Sequence, residues 1–152
     1  MNGQKRTAIK QALSASSGRV NISINGWVRS LRRGKEVSFA ALNDGSCFAS
    51  LQVVINPDLP DYDEVTRAGT GACLAVQGDL VESPASGQRW ELLAKAVTIV
   101  GGADDSYQLQ KKRHSFEFLR SIAHLRPRSN SFGAVFRLRS ALSYAVHTFF
   151  QQ

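Results

Sequence analysis

Apolar and polar residues alternate along the first hundred positions of this chain and then give way to a three-to-four-residue period. Val20, Ile22, Ile24 and Val28 keep the period of two expected of a half-buried strand. Arg32-Arg33-Gly34-Lys35 reads as a turn, and Val37 to Leu42 as a second strand. Asn43-Asp44-Gly45-Ser46 is a hairpin signal, because Asn, Asp and Gly tolerate the positive φ of tight turns. Phe48 to Ile55 reads as a third strand, stopped by Asn56-Pro57, since proline donates nothing to a ladder. Residues 58–67 read as a short helix or turn, Ala72 to Val81 as a fourth strand, Ser83 to Gly87 as a loop and Arg89 to Val100 as a fifth strand.

Five strands with a helix between the third and fourth is the order of an OB-fold, a mainly β Greek-key barrel with a nucleic-acid-binding face. The expected organisation is an N-terminal extension over 1–18, a barrel over 19–102, a hinge over 103–129 and a C-terminal amphipathic helix over 130–152. Within the hinge, Ser115 to Ala123 reads as a short helix that Pro127 ends, and Ser129 or Asn130 can cap the next one. From Phe132, the residues Val135, Leu138, Leu142, Ala145, Val146 and Phe149 share one helical face. A small barrel joined by a linker offers that face no cover. Either the helix pairs with another chain or the chain is truncated before its natural partner, and truncation is the expectation.

Charge changes the picture by its distribution. The net charge is +7 over 152 residues, which favours a polyanionic partner. Residues 1–103 hold 11 Lys/Arg against 9 Asp/Glu, whereas residues 104–152 hold 8 against 3. Lys111, Lys112 and Arg113 form the densest run and are candidates for phosphate contact. The N-terminus lacks the apolar core of a secretory signal, and no apolar run approaches the ~20 residues of a membrane span. Cys47 and Cys73 each sit in a strand-like run and are expected as core thiols in a reduced, cytoplasmic setting. His114, His124 and His147 show no ligand spacing, so neither zinc nor another metal is expected. No catalytic constellation of nucleophile, base and orienting group is visible.

Binding a single strand on such a barrel needs an aromatic platform, cations along the backbone path and polar groups for base edges. Phe39 is the platform candidate, although it shares strand parity with Val37 and Ala41 and could equally be core. Gln52 is opposite in parity to Leu51, Val53 and Ile55, so it points outward if they point in, and its amide offers both donor and acceptor. Arg29, Arg32 and Arg33 could clamp phosphate or stack on a base, or simply be solvated. Glu91 could accept from an exocyclic amine, or be an ordinary surface carboxylate.

The stretches GWVRSLRR, SFAALNDGSCFASLQVVIN and KRHSFEFLRSIAHLRPRSNSFGAVFRLRSAL together resemble the N-terminal region of bacterial-type asparaginyl-tRNA synthetases, over about residues 19–150. The resemblance implies a class II, subclass b synthetase with an anticodon-binding barrel, a hinge and a catalytic domain. It matches Phe39 to the aromatic that stacks on the central anticodon base and Gln52 to the glutamine that reads that base, a uridine. Arg32 matches the arginine after the first strand and Glu91 the acidic residue of the last. Arg33 departs from the pattern, since relatives often carry aspartate there. The segment 113–130 resembles the hinge, and 132–150 the helix opening motif 1, the dimer-forming element. The complete enzyme, a homodimer, would activate asparagine with ATP and Mg²⁺ and transfer it to tRNA. Motifs 2 and 3 have no counterpart here, so the chain itself is expected to bind tRNA without catalysis or cofactor. A free-standing barrel that binds tRNA or single strands generally is the alternative, and a structural role of the terminal helix is a third.

Overall fold

The computed structural model describes residues 5–152; the first four residues of the expected N-terminal extension lie outside them. The chain forms two compact units, one ending at Lys111 and the other running from Lys112 to Gln152.

The first unit is a closed barrel of five strands: β1 (Arg19–Arg33), β2 (Ser38–Asn43), β3 (Leu51–Ile55), β4 (Cys73–Glu82) and β5 (Trp90–Gly101), in the order β1-β2-β3-β5-β4. One short helix, α1 (Ile9–Leu13), precedes the barrel, and α2 (Tyr62–Arg67) joins β3 to β4. Closure depends on β1 serving two neighbours. Its first half pairs with β4 and its second half with β2, both antiparallel. An irregularity between Val28 and Ser30 turns the strand from one neighbour to the other, as bulges at barrel corners do. Gly78 allows a second tight passage, because a Cβ there would lie 2.1 Å from the Leu93 carbonyl oxygen. The last seam is the parallel pairing of Gln52, Val53 and Val54 with Glu91, Leu92 and Leu93.

Strand alternation fills the interior. Ile24, Val28, Ala40, Leu42, Leu51, Val53, Leu74, Val76 and Leu92 are all fully buried. The expected strands therefore form, with two differences: Arg32 and Arg33, expected in a turn, pair with Phe39 and Ser38 as the end of β1, and β3 starts later than expected. The hairpin signal at 43–46 does not make a two-residue turn: β2 ends at Asn43 and β3 begins only at Leu51. The buried Asn43 side chain organises this loop instead. Its Nδ2 donates to the Ala49 carbonyl at 2.8 Å, and its Oδ1 accepts from the Gly45 N–H at 2.8 Å. Gly45 sits at φ +80, against the Trp27 ring. Phe48 is consequently outside the strand and 56% exposed. Cys47 is in the same loop and Cys73 at the start of β4; neither forms a disulfide and both are half-buried, where core positions were expected.

The residues before β1 are part of the core. Ile9, Ala12 and Ala15 are buried with the barrel interior, and the Trp90 indole N–H donates to the Ala15 carbonyl at 3.1 Å. A five-residue helix has little stability of its own, and its N-cap, Ala8, has no side-chain oxygen to offer. Asp44, 35 positions away, supplies the cap. Its Oδ2 accepts from the Ile9 N–H at 3.0 Å and lies 3.3 Å from Arg6, while Ser46 Oγ accepts from the Lys10 N–H at 3.0 Å. Burial pushes the Asp44 pKa up, but hydrogen bonds from Ser46, the Ile9 N–H and Arg6 outweigh it and hold the carboxyl below its usual 3.8.

In the second unit, α3 (Phe116–Ser121) is capped by Ser115, whose Oγ accepts from the Phe118 N–H at 3.2 Å. A 3₁₀ turn at Arg126–Arg128 places Pro127 in its first turn, where a missing N–H costs nothing. Ser129 caps α4 (Asn130–Gln151) by accepting from the Phe132 N–H at 3.3 Å. Arg126 stacks over Phe132 and Phe136 at 5.2 and 5.6 Å. Its companion at the crossing is Gly133, where a Cβ would lie 3.1 Å from the Pro127 carbonyl oxygen. Further along α4 the apolar stripe is open: Val135, Leu138, Leu142, Val146 and Phe149 are each more than half exposed. No helix among the described residues is long and apolar enough to cross a membrane.

Replacing Asp44 with Asn is expected to cost about 1–3 kcal/mol at neutral pH, the range of a helix cap with a charged acceptor. Because the folded-state pKa is lowered, this contribution is complete above the unfolded value and is lost as pH falls through the folded one. Melting temperatures of the two proteins, measured from pH 7 down to pH 3, should therefore converge at the acid end.

Candidate nucleic-acid interface

Alternation settles which side chains leave the barrel. In β2, Ser38, Ala40 and Leu42 are buried, so Phe39 and Ala41 face outward, and Phe39 is half-exposed rather than core. The bulge at Val28/Ser30 resets the parity of β1, so that Leu31 packs against the core and Arg32 projects from the other face. Arg32 and Phe39 are cross-strand partners, and the guanidinium carbon lies 5.1 Å from the ring centroid. The stack sets the cation of the exposed Arg32 over a half-buried apolar ring.

The next cross-strand row carries the polar groups. Ala41 pairs with Gln52, and Gln52 with Glu91. Gln52 faces outward from β3 and is half-buried, with Nε2 donating to Glu91 Oε2 at 3.3 Å. Glu91 is only 6% exposed. Its Oε2 also accepts from Ser83 Oγ at 3.1 Å and Gln88 Nε2 at 3.4 Å. The carboxylate thus has three protein donors, where an open edge for a base amine was one reading of the sequence. Ser83 and Gln88 were not singled out beforehand. A hydroxyl and an amide flanking a loop carry no periodic signal; only the β4–β5 register, which sets Val81 opposite Glu91, brings them to the carboxylate.

The remaining candidates separate. Arg33 turns to α2, where its Nη2 lies 3.2 Å from Asp63 Oδ1 and donates to Thr66 Oγ1. This ties the end of β1 to α2. Arg29 is half-buried at the β1 irregularity. Lys111 is the last residue of the barrel unit, and Lys112 and Arg113 open the second; all three are exposed in an irregular segment. The structure thus assembles Arg32, Phe39, Gln52 and Glu91 on adjacent strands of one face and directs Arg33 away from them.

A half-exposed ring under a guanidinium, beside an outward amide braced by a buried carboxylate, is an arrangement that can stack one base and hydrogen-bond its edge. Comparison with known proteins agrees with the fold. Residues 22–100 match the family described as the OB-fold nucleic acid binding domain, and the chain belongs to that family. It is also 60% identical over 147 residues to the asparagine–tRNA ligase of Geotalea uraniireducens, a match covering 97% of this chain and 32% of that protein. The asparagine–tRNA ligase of Microcystis aeruginosa is 50% identical over 147 residues, covering 96% and 32%. The chain spans about a third of the length of these relatives. Among solved structures, the asparaginyl-tRNA synthetase from Pyrococcus horikoshii superposes with a TM-score of 0.80 at 15% identity, covering 96% of this chain and 35% of that one, and so shares the fold.

Because Phe39 is outward and Leu42 fully buried, their truncations should separate. Phe39→Ala is expected to cost less than about 2 kcal/mol, and Leu42→Ala about 2–5 kcal/mol, in urea unfolding followed by Trp fluorescence.

Proposed function

We propose that this chain is the anticodon-reading part of an asparagine–tRNA ligase: it stacks the central anticodon base on Phe39 and reads its edge with Gln52. The observation that supports this most directly is the adjacency of a half-exposed ring and an outward amide on neighbouring strands of the barrel. The high identity to asparagine–tRNA ligases of two bacteria supports this substrate class. Arg32 lies over the ring and supplies charge for a phosphate, as Arg29 and Lys111 do elsewhere in the same unit; Lys112 and Arg113 are candidates for phosphate contact in the second unit. Arg33 serves the barrel rather than the RNA. The cell compartment of this reading is the cytoplasm.

Asparagine activation with ATP and Mg²⁺, implied for the complete enzyme, is not assigned to these residues. Among the described residues no group of three or more His, Cys, Asp or Glu is gathered.

A tRNA anticodon stem–loop with a GUU anticodon should bind with a strongly salt-dependent affinity, because phosphate contacts release counterions. Replacing the central uridine by adenosine should weaken binding, and Phe39→Ala should cost about 1–3 kcal/mol of it, the worth of one stacked base. Fluorescence anisotropy titrations measure both; equal affinity for the two stem–loops would overturn the proposal.

The same reading gives the open stripe of α4 to a second subunit. Sedimentation velocity should then show concentration-dependent association, and Leu138→Glu with Leu142→Glu should abolish it.

A further inference from the structure

The rung of the β1–β2 ladder that carries Arg32 and Phe39 is followed by one more, Arg33 with Ser38, before the chain turns. Successive side chains of a strand point to opposite faces. Arg32 and Phe39 therefore face outward, while the last rung turns to α2, and both of its ends are tied there. Ser38 Oγ shares a hydrogen bond with Tyr62 Oη at 2.7 Å. Arg33 Nη2 lies 3.2 Å from Asp63 Oδ1 and 3.4 Å from the Asp63 carbonyl oxygen, and it donates to Thr66 Oγ1. Thr66 Oγ1 in turn donates to the Asp63 carbonyl at 3.3 Å, so the guanidinium, hydroxyl and carbonyl close a ring. The helix is a firm anchor, because Val65 and Ala68 are buried in the core and Tyr62 packs against it. Beyond the rung, Gly34, Lys35 and Glu36 are exposed, and the turn closes on a 3.0 Å bond from the Gly34 N–H to the Val37 carbonyl.

The Arg33–Asp63 tie adds little to the stability of the whole barrel. The two side chains are 48% and 72% exposed, and an ion pair so open to water is weak. What the ties fix is an orientation. A pleated ribbon cannot turn its last rung without turning the one before it, and strand ends held only by their own ladder fray.

We infer that Arg33 is a positioning residue: with the Ser38–Tyr62 bond it moors the hairpin end to α2, so that Arg32 and Phe39 stand in place before RNA arrives. Affinity gains because the ordering cost is met in folding and not in binding. This rests on the reading that Phe39 stacks on the central base. It gives a task to the arginine that departs from the pattern of its relatives, and it brings Tyr62, Asp63 and Thr66 of α2 into recognition without contact to the base.

The test measures binding of a GUU stem–loop by fluorescence anisotropy at several salt concentrations, for Arg33→Ala and Thr66→Val, each alone and combined with Phe39→Ala. Each single variant should weaken binding about 3- to 10-fold, the worth of one or two ordered side chains. The salt slope should stay that of the wild type, and either effect should shrink below about two-fold once Phe39 is gone, since coupled residues are not additive. Tyr62→Phe, which loses one hydroxyl from the other tie, should act in the same direction and keeps the test open if Thr66→Val melts too low. A salt slope lowered by about 0.7 in Arg33→Ala, with Thr66→Val harmless, would place Arg33 on a phosphate and overturn the mooring. Unchanged affinity in the folded variants, or an equal loss with and without Phe39, overturns it as well and leaves the stacking reading intact. If Phe39→Ala by itself leaves binding unchanged, the stacking reading fails instead, and the mooring with it.

Discussion

The seam between β3 and β5 is the contact on which most else depends. It is three residue pairs long and parallel, and without it the other antiparallel strands would form an open sheet with exposed edges. The register of that seam fixes both sides of the sheet at once. Val53 and Leu92 are paired and both fully buried, and one step along, Gln52 and Glu91 are paired on the other side. A slip of one residue would send the amide into the core and the valine out, since side chains alternate with a period of two. The apolar interior therefore specifies the polar site. Burial of Leu51, Val53 and Ile55 is what keeps Gln52 outward.

Across the neighbouring seam, β1 and β2 supply the cation and the ring by a less regular route. The bulge between Val28 and Ser30 is a corner that the barrel needs in order to close. Its side effect is to shift Arg32 to the face where Phe39 emerges. A straight strand would have left Leu31 outward and Arg32 turned toward the apolar side. Arg33, one position later, has partners on α2 instead, which distinguishes two adjacent arginines that look equivalent in composition.

The five strands and the terminal amphipathic helix were legible in the sequence, because each writes a period of its own. Gln52 was legible for the same reason. The segment between the third and fourth strands read only as a short helix or turn, and it is the helix α2. Phe39 was not, since Val37 and Ala41 share its parity and neither is decisive; only the fully buried Ala40 and Leu42 show which side is the core. Asn43-Asp44-Gly45-Ser46 carried the residues of a tight turn, but Asn43 and Asp44 spend their side chains on a longer loop and on α1. Non-local partners of that kind leave no mark on neighbouring positions. The same holds for α1, whose two buried apolar residues, Ile9 and Ala12, are too few for a period, and for Ser83 and Gln88, which meet Glu91 only through the β4–β5 register.

The cap that Asp44 lends to α1 also sets an order of events. A chain made from its N-terminus presents residues 9–13 well before Asp44 exists to receive them, and five residues cannot hold a helix alone. The Ala15 carbonyl waits longer still, for the indole of Trp90. Residues 9–13 are thus made before the residues that seat them, and Ile9 stays unburied until the strands that cover it exist. Loop closure of this span is an entropic cost borne late. The barrel's plug is consequently a report on completion: it seats only once strands from both ends of the domain are present to hold it.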